Sequence, residues 1–251
     1  MSKVVKFHIS AYIANQYSSL FKSLNQKIDA LYDHLNNDFL VTTNKVKKYN
    51  TIAREKMASG KLNTDLREKV RIAVKSFDSI IIELQYHDII RQKLEHIYAV
   101  ESTLSKEFSQ IYKSNDTTGN AHFTLVLYDV IKLSYNQMLQ VKEDYLMASN
   151  KIQRILRQLW ADRDISKTLQ LFLFNTAENL RNVLEAMDLI IKMHDRLREE
   201  RRAFEVEISE ELRMSILNEV KQTYTMDSER EIFNNTFGIQ EELVSDDEIF
   251  F

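Results

Sequence analysis

No proline and only three glycines, Gly60, Gly119 and Gly238, punctuate the 251 residues of this chain. Tight turns draw on these two residue types, because Pro presets φ and Gly reaches positive φ without steric cost. A sandwich, a barrel or a doubly wound sheet needs many such turns, so these folds are nearly excluded. No two glycines lie close enough to build a phosphate-cradling loop. Cysteine is absent as well. That excludes disulfides, zinc ribbons and thiol nucleophiles, and fits a reducing compartment.

Apolar residues recur at steps of three and four almost throughout the chain. Ile13, Tyr17, Leu20, Leu24, Ile28, Leu31 and Leu35 predict a first helix over residues 4–57. The stretch KMASGKLNTD interrupts the pattern, with Asn63 or Thr64 as the next N-cap. A second helix is expected over 65–113, a loop at SNDTTGN (114–120), and a third helix over 121–160. WADRDIS (160–166) is a weaker break: Asp164 caps a fourth helix there, or helix three runs on. The fourth segment extends to 223, and 224–244 loses clear periodicity. Helices of this length are roughly 60–80 Å long, and a stripe that long must be buried against other long helices. The expected fold is therefore all-α, an elongated antiparallel bundle over 1–223. A linker (224–244) and a flexible C-terminal segment (245–251) follow. Four helices can close such a bundle within one chain, or two hairpins from two chains can; the second arrangement makes a homodimer the expectation.

Net charge is −3, which gives no case for nucleic-acid binding. Its distribution is uneven. Residues 1–60 carry nine Lys/Arg against four Asp/Glu, whereas 224–251 carry one Arg against eight acids, an acidic tail. Lys45, Lys47, Lys48, Arg54 and Lys56 make the first helix basic, but Asp29, Asp33 and Asp38 interrupt it, so a solvated face is expected rather than a membrane-surface helix. No apolar run approaches the roughly 18 residues of a membrane span, and the first dozen residues lack a signal-peptide core. No membrane insertion and a cytoplasmic location are expected. No His follows a Glu at the three-residue spacing of carboxylate-bridged di-iron bundles, so no metal site is expected.

The informative stretch lies in the second helix. Its core stripe is Ile90, Leu94, Ile97, Leu104, Phe108 and Ile111. With Ile90 at zero and about 100° per residue, Asp88 and Gln92 fall on the opposite side, one turn apart. Gln85 and Ile81 share that side. A carboxylate, two amides and an isoleucine spared from the core suit a docking surface for another protein; a plain solvated face is the alternative. The chain ends in Ser245-Asp246-Asp247-Glu248-Ile249-Phe250-Phe251. It opens with a Ser-x-x-Glu capping box, places acids where a helix dipole favours them, and finishes apolar. Too short to hold a helix alone, it reads as a segment that folds on a partner; an acidic tail that stays disordered is the alternative.

Leu84–Gln92 resembles the active-site helix of the chemotaxis phosphatase CheZ family, which carries an aromatic residue, a polar residue, then Asp-x-x-x-Gln. Here these are Tyr86, His87, Asp88 and Gln92. The acidic-then-apolar ending resembles the CheZ peptide that forms a helix on the response regulator CheY. The resemblance implies a phosphatase of an aspartyl-phosphorylated, CheY-like receiver domain. Gln92 would place the attacking water, Asp88 would orient the partner's lysine, and residues 245–251 would recruit the partner. The Mg²⁺ would belong to the partner, with no cofactor held by this chain. Two departures stand out: Arg91 occupies a position that is small in CheZ, and the chain has about four long helices where CheZ has one hairpin per subunit. The phrase LQYHDIIRQKLEH is also similar to helical segments of chemoreceptor-like signalling proteins. A non-catalytic adaptor binding a response regulator or receptor array, and a structural coiled-coil protein, are the alternatives.

Overall fold

A computed structural model describes residues 10–60, 62–114, 122–160, 167–199 and 208–239. The first helix, α1 (Ala11–Ala58), starts where Ser10 Oγ accepts from the Ile13 N–H at 3.3 Å. Its 48 residues make it about 72 Å long. Ala14, Tyr17, Phe21, Leu24, Ile28, Leu31 and Leu35 face inward and are buried, while Leu20 stays on the outside. Gly60 leaves the helix at φ +64°, a value favouring glycine. Asn63 then caps α2 (Thr64–Leu84), its Oδ1 accepting from the Leu66 N–H at 2.8 Å.

The second predicted helix is two helices. At Gln85 the chain stays in right-handed helical space, but the hydrogen bonds tighten. The Gln85 N–H donates to Ile82 O at 3.1 Å and the Asp88 N–H to Gln85 O at 3.1 Å, both one residue short of the α-helical pattern. From there α3 (Tyr86–Ser114) continues alongside α1. A similar step at Val126 separates the single turn α4 (His122–Leu125) from α5 (Leu127–Trp160). The fourth segment also divides: α6 (Lys167–Glu199) ends well before 223, and Ser209 caps a separate α7 (Glu210–Gln222). The weak break at 161–166, with Asp164, and the loop around Gly119 lie outside the described residues.

The expected linker 224–244 requires correction. Asp227–Phe237 forms a helix, α8, packed on α5. Its N-terminal Met226 makes no side-chain cap, but Gly238 closes the other end at φ +67°, and the Ile239 N–H donates back to Asn234 O at 2.9 Å. Periodicity missed this helix because its buried positions include Glu229 and Thr236 beside Phe233. Asp129 and Asn136 of α5 hold α7 and α8. Arg213 donates to both Asp129 oxygens (2.7 and 2.8 Å), and Asn136 Nδ2 donates to Thr236 Oγ1 at 2.9 Å.

The architecture is an all-α bundle, with no strand among the described residues. Around the ring, α1 packs on α2 and α3, these pack on α5, α5 packs on α6, and α6 returns to α1. The bundle therefore closes within one chain. Burying the core gives no motive for the homodimer expected from paired hairpins. The larger core cluster joins α1, α3, α5, α6, α7 and α8, with Phe108 stacked on Tyr17 and Phe21 at 5.0 and 6.0 Å between ring centres. A smaller cluster gathers Val46, Phe77, Ile80, Leu156 and Leu159 where α1, α2 and α5 meet.

Candidate functional site

The rotation of α3 about its axis decides what Asp88 and Gln92 can reach. Leu94 and Ile97 are buried in the larger cluster. Between them and Gln92, Lys93 turns into the bundle, where its Nζ meets Asp144 Oδ2 at 2.7 Å. Gln140 Nε2 donates to the other Asp144 oxygen at 3.0 Å. With Lys93 and Leu94 fixed inward, Asp88 is exposed and Gln92 partly exposed on the outer side of the helix. Among the described residues the Gln92 carboxamide has no hydrogen-bond partner.

Asp88 is not electrostatically alone. Arg91 Nε stands 3.8 Å from Asp88 Oδ1, and Arg91 Nη1 lies 3.2 Å from Glu95 Oε1. The Tyr32 hydroxyl of α1 joins the group, accepting from Arg91 Nη1 at 3.4 Å and donating to Glu95 Oε1 at 3.3 Å. These partners raise the Arg91 pKa above its ordinary value, the Tyr32 hydrogen bond first. The Asp88–Arg91 pair is largely exposed, so it contributes little to stability. Its effect is positional: a guanidinium stands beside the carboxylate where the CheZ motif carries a small side chain.

Gln85 is exposed at the step between α2 and α3. Ile81 is not spare: it is partly buried and packs against the smaller cluster. The isoleucine that offers open apolar surface is its neighbour Ile82, 60% exposed. On the helical wheel Ile82 falls about 80° from the core direction, close enough to pass for a core residue, and the tightened turn at Gln85 disturbs that count. Residues 245–251 lie outside the described residues, as do 240–244.

His87 turns toward α1, stacking on Phe39 at 4.3 Å between ring centres. Both its ring nitrogens are shielded from solvent without a well-formed hydrogen bond. Burial pushes its pKa down, against weaker opposing effects of the Leu35 carbonyl and Asp88. Its ring borders a cavity of about 50 Å³ shared with Asp38, Glu83 and Tyr145, room for about a water or two. Burial raises the Asp38 pKa, opposed by hydrogen bonds from Asn179 (2.6 Å) and Tyr145 (3.4 Å). The cavity lies where the two apolar clusters meet, lined by Ile90 of the larger and by Leu84 and Ile152 of the smaller.

One turn beyond Gln92, His96 meets α8. Its Nδ1 donates to Glu229 Oε1 at 2.7 Å, and this bond raises the His96 pKa. Glu229 is fully buried. The α8 N-terminus thus borders the Asp88/Gln92 face on one side, and α1 with Tyr32 borders it on the other. Neither border was visible in the sequence, because Glu229 and His96 pair across 133 residues.

No group of three or more His, Cys, Asp or Glu is placed to hold a metal ion among the described residues. Nor is any described helix long and apolar enough to cross a membrane. Comparison with known proteins leaves the reading to these residues: no family model matches the chain, and neither the curated proteins nor the solved structures give a significant match.

Proposed function

We propose that this chain is a CheZ-like protein that binds an aspartyl-phosphorylated, CheY-like receiver domain on the α3 face and accelerates its dephosphorylation, in the cytoplasm, as part of chemotaxis-type signalling. The observation that carries the reading is the outward pairing of Asp88 and Gln92, one turn apart on a long helix whose rotation is fixed from within by Lys93. The chemistry asks little of the protein. Water attacks the phosphorus, the bond from phosphorus to the receiver's aspartyl oxygen breaks, and the water's proton leaves with the phosphate or to solvent. Phosphoryl transfer is catalysed mainly by positioning and charge stabilisation. The Gln92 carboxamide can accept from the water and donate to an oxygen beside it. Asp88 would orient the receiver's lysine, and the receiver would bring its own Mg²⁺.

The C-terminal peptide would supply a second contact. Thr236 bonds Asn136, eight residues along α5 from Asp144, or about 12 Å. The twelve residues 240–251 could extend about 40 Å, enough for 245–251 to hold a receiver seated on the α3 face. A tethered second contact raises avidity without improving either site.

Arg91 favours a second reading, a non-catalytic adaptor using the same face. Its guanidinium engages the carboxylate that would have to orient the receiver's lysine. One experiment separates the two readings: phosphate loss from a phosphorylated receiver domain, followed at saturating concentrations of this protein. The phosphatase reading expects acceleration that Gln92→Ala abolishes while binding persists, and faster loss with Arg91→Ser. Saturated binding without acceleration establishes the adaptor. No binding at all rejects both.

A further inference from the structure

The lysines late in α1 lie at an end of the bundle where two further helices also bring cations. The end of the bundle where α1 finishes, α2 starts and α5 finishes is held together by the smaller core cluster. Arg54–Asp78 (2.8 Å) ties α1 to α2 there, and Lys151–Glu83 (3.4 Å) ties α5 to α2. Residues 45–84 and 145–160 together hold thirteen Lys/Arg against five Asp/Glu. The whole chain carries −3, so the rest of it carries −11 against a surplus of eight at this end. Lys48 on α1, Arg67 on α2 and Arg157 on α5 are exposed and make no ion pair among the described residues.

Aliphatic side chains are exposed among these charges. Ile52 and Met57 on α1, and Leu66 and Ile72 on α2, all lie open to solvent, Ile72 at 52%. Cations interleaved with exposed aliphatic groups are the composition that binds an anionic lipid surface: the charges approach the headgroups and the apolar groups enter the interface. Single-stranded nucleic acid fits less well, because base stacking wants exposed aromatic rings, and Tyr49, the aromatic residue of α1 at this end, is partly buried beside Phe77; a duplex is held through its phosphates, for which the exposed aliphatic groups have no use.

We infer that the basic end of the bundle, formed by the α1–α2 hairpin and the C-terminal part of α5, is a peripheral docking surface for an anionic membrane. The bundle would stand on the bilayer by this end, with none of the described helices crossing it. The inference does not depend on the Asp88/Gln92 reading. A search for a single amphipathic basic helix misses the surface, because no one helix carries it.

Flotation of the full chain with phosphatidylcholine vesicles, with and without phosphatidylglycerol, tests this. Binding is expected to the anionic vesicles alone and to fall with added salt. Each cation near such a surface contributes about fivefold. The triple variant Lys48→Gln, Arg67→Gln, Arg157→Gln is therefore expected to lose binding on the order of a hundredfold. All three side chains are exposed, so the fold should survive, and an unchanged melting temperature checks this. Neutralising Lys22, Lys113 and Lys192, exposed elsewhere on the bundle, should leave vesicle binding unchanged. Ile72→Ser should weaken vesicle binding while leaving any binding to duplex DNA unaltered. Equal binding to neutral vesicles, no vesicle binding, an unaffected triple variant, or preference for duplex DNA over anionic vesicles would each overturn the inference.

Discussion

Replacing Lys93 by Met should destabilise the bundle far more than a lysine on a helix usually can. The side chains of Lys93 and Asp144 are only 3% and 12% exposed, and their 2.7 Å contact neutralises both charges inside the bundle. Met fills much of the same volume but leaves the Asp144 carboxylate with Gln140 alone. Breaking a buried pair from one side costs about 3–5 kcal/mol, because a charge is stranded away from water. For a chain of this size each kcal/mol moves the melting temperature by about 2–4 °C, so a drop of roughly 6–20 °C is expected. Removing both partners, with Lys93→Met and Asp144→Leu together, should return most of the loss, since an apolar pair needs no compensation. Calorimetry and urea unfolding on the wild type, both single variants and the double variant give the coupling directly. A Lys93→Met protein within about 1 kcal/mol of wild type would refute the reasoning. It would mean that the pair is solvated, and that the inward turn fixing the outer face of α3 is absent.

Two further outcomes follow from the docking of α8. The His96 pKa is raised by Glu229, so the folded state holds this proton more tightly than the unfolded chain. That stabilisation is fully present below about pH 6.5 and is lost as pH rises through the higher folded value. Thermal melts across this range should show Glu229→Gln trailing wild type most at the acid end, with the gap narrowing on the alkaline side; a gap that widens with pH contradicts the assignment. Gly238 sits at φ +67° with nothing within 4 Å of an added Cβ. Gly238→Ala should therefore cost about 1 kcal/mol through the backbone alone, measurable as a shift in the urea midpoint, and an unchanged midpoint would mean that the α8 cap is not formed.

The long-range packing was legible because it is written in apolar spacing. Leu24, Ile28, Leu31 and Leu35 on α1, and Ile90, Leu94, Ile97, Leu104, Phe108 and Ile111 on α3, are all buried. Spacing of apolar residues cannot see a core built from polar ones. Lys93, Glu101, Glu107, Asp144, His194 and Glu229 are buried as well, each answered by a partner distant in sequence. Lys93 meets Asp144, Glu101 meets His194, Glu107 accepts from the Thr124 N–H and hydroxyl, and Glu229 meets His96. The helix α8 was lost for this reason. The step at Gln85 was lost because neither Gly nor Pro marks it. At the candidate site, the wheel through Ile90 puts Asp88 and Gln92 on the side where the structure has them. The Arg91–Tyr32 contact spans 59 residues and leaves no local signature, and the exchange of roles between Ile81 and Ile82 turns on a shift of one residue.

The chain lacks cysteine, so a single introduced thiol reports on one position. The most direct test is the rate of thiol labelling of Gln92→Cys, alone and with a saturating phosphorylated receiver domain, beside Thr51→Cys on the exposed far part of α1 as reference. Fast labelling of the free protein at both positions is expected, with the receiver slowing position 92 and sparing position 51. If bound receiver leaves labelling at 92 unchanged, or if the thiol there is inert from the outset, Gln92 does not face the partner, and the phosphatase and adaptor readings of this face both fail.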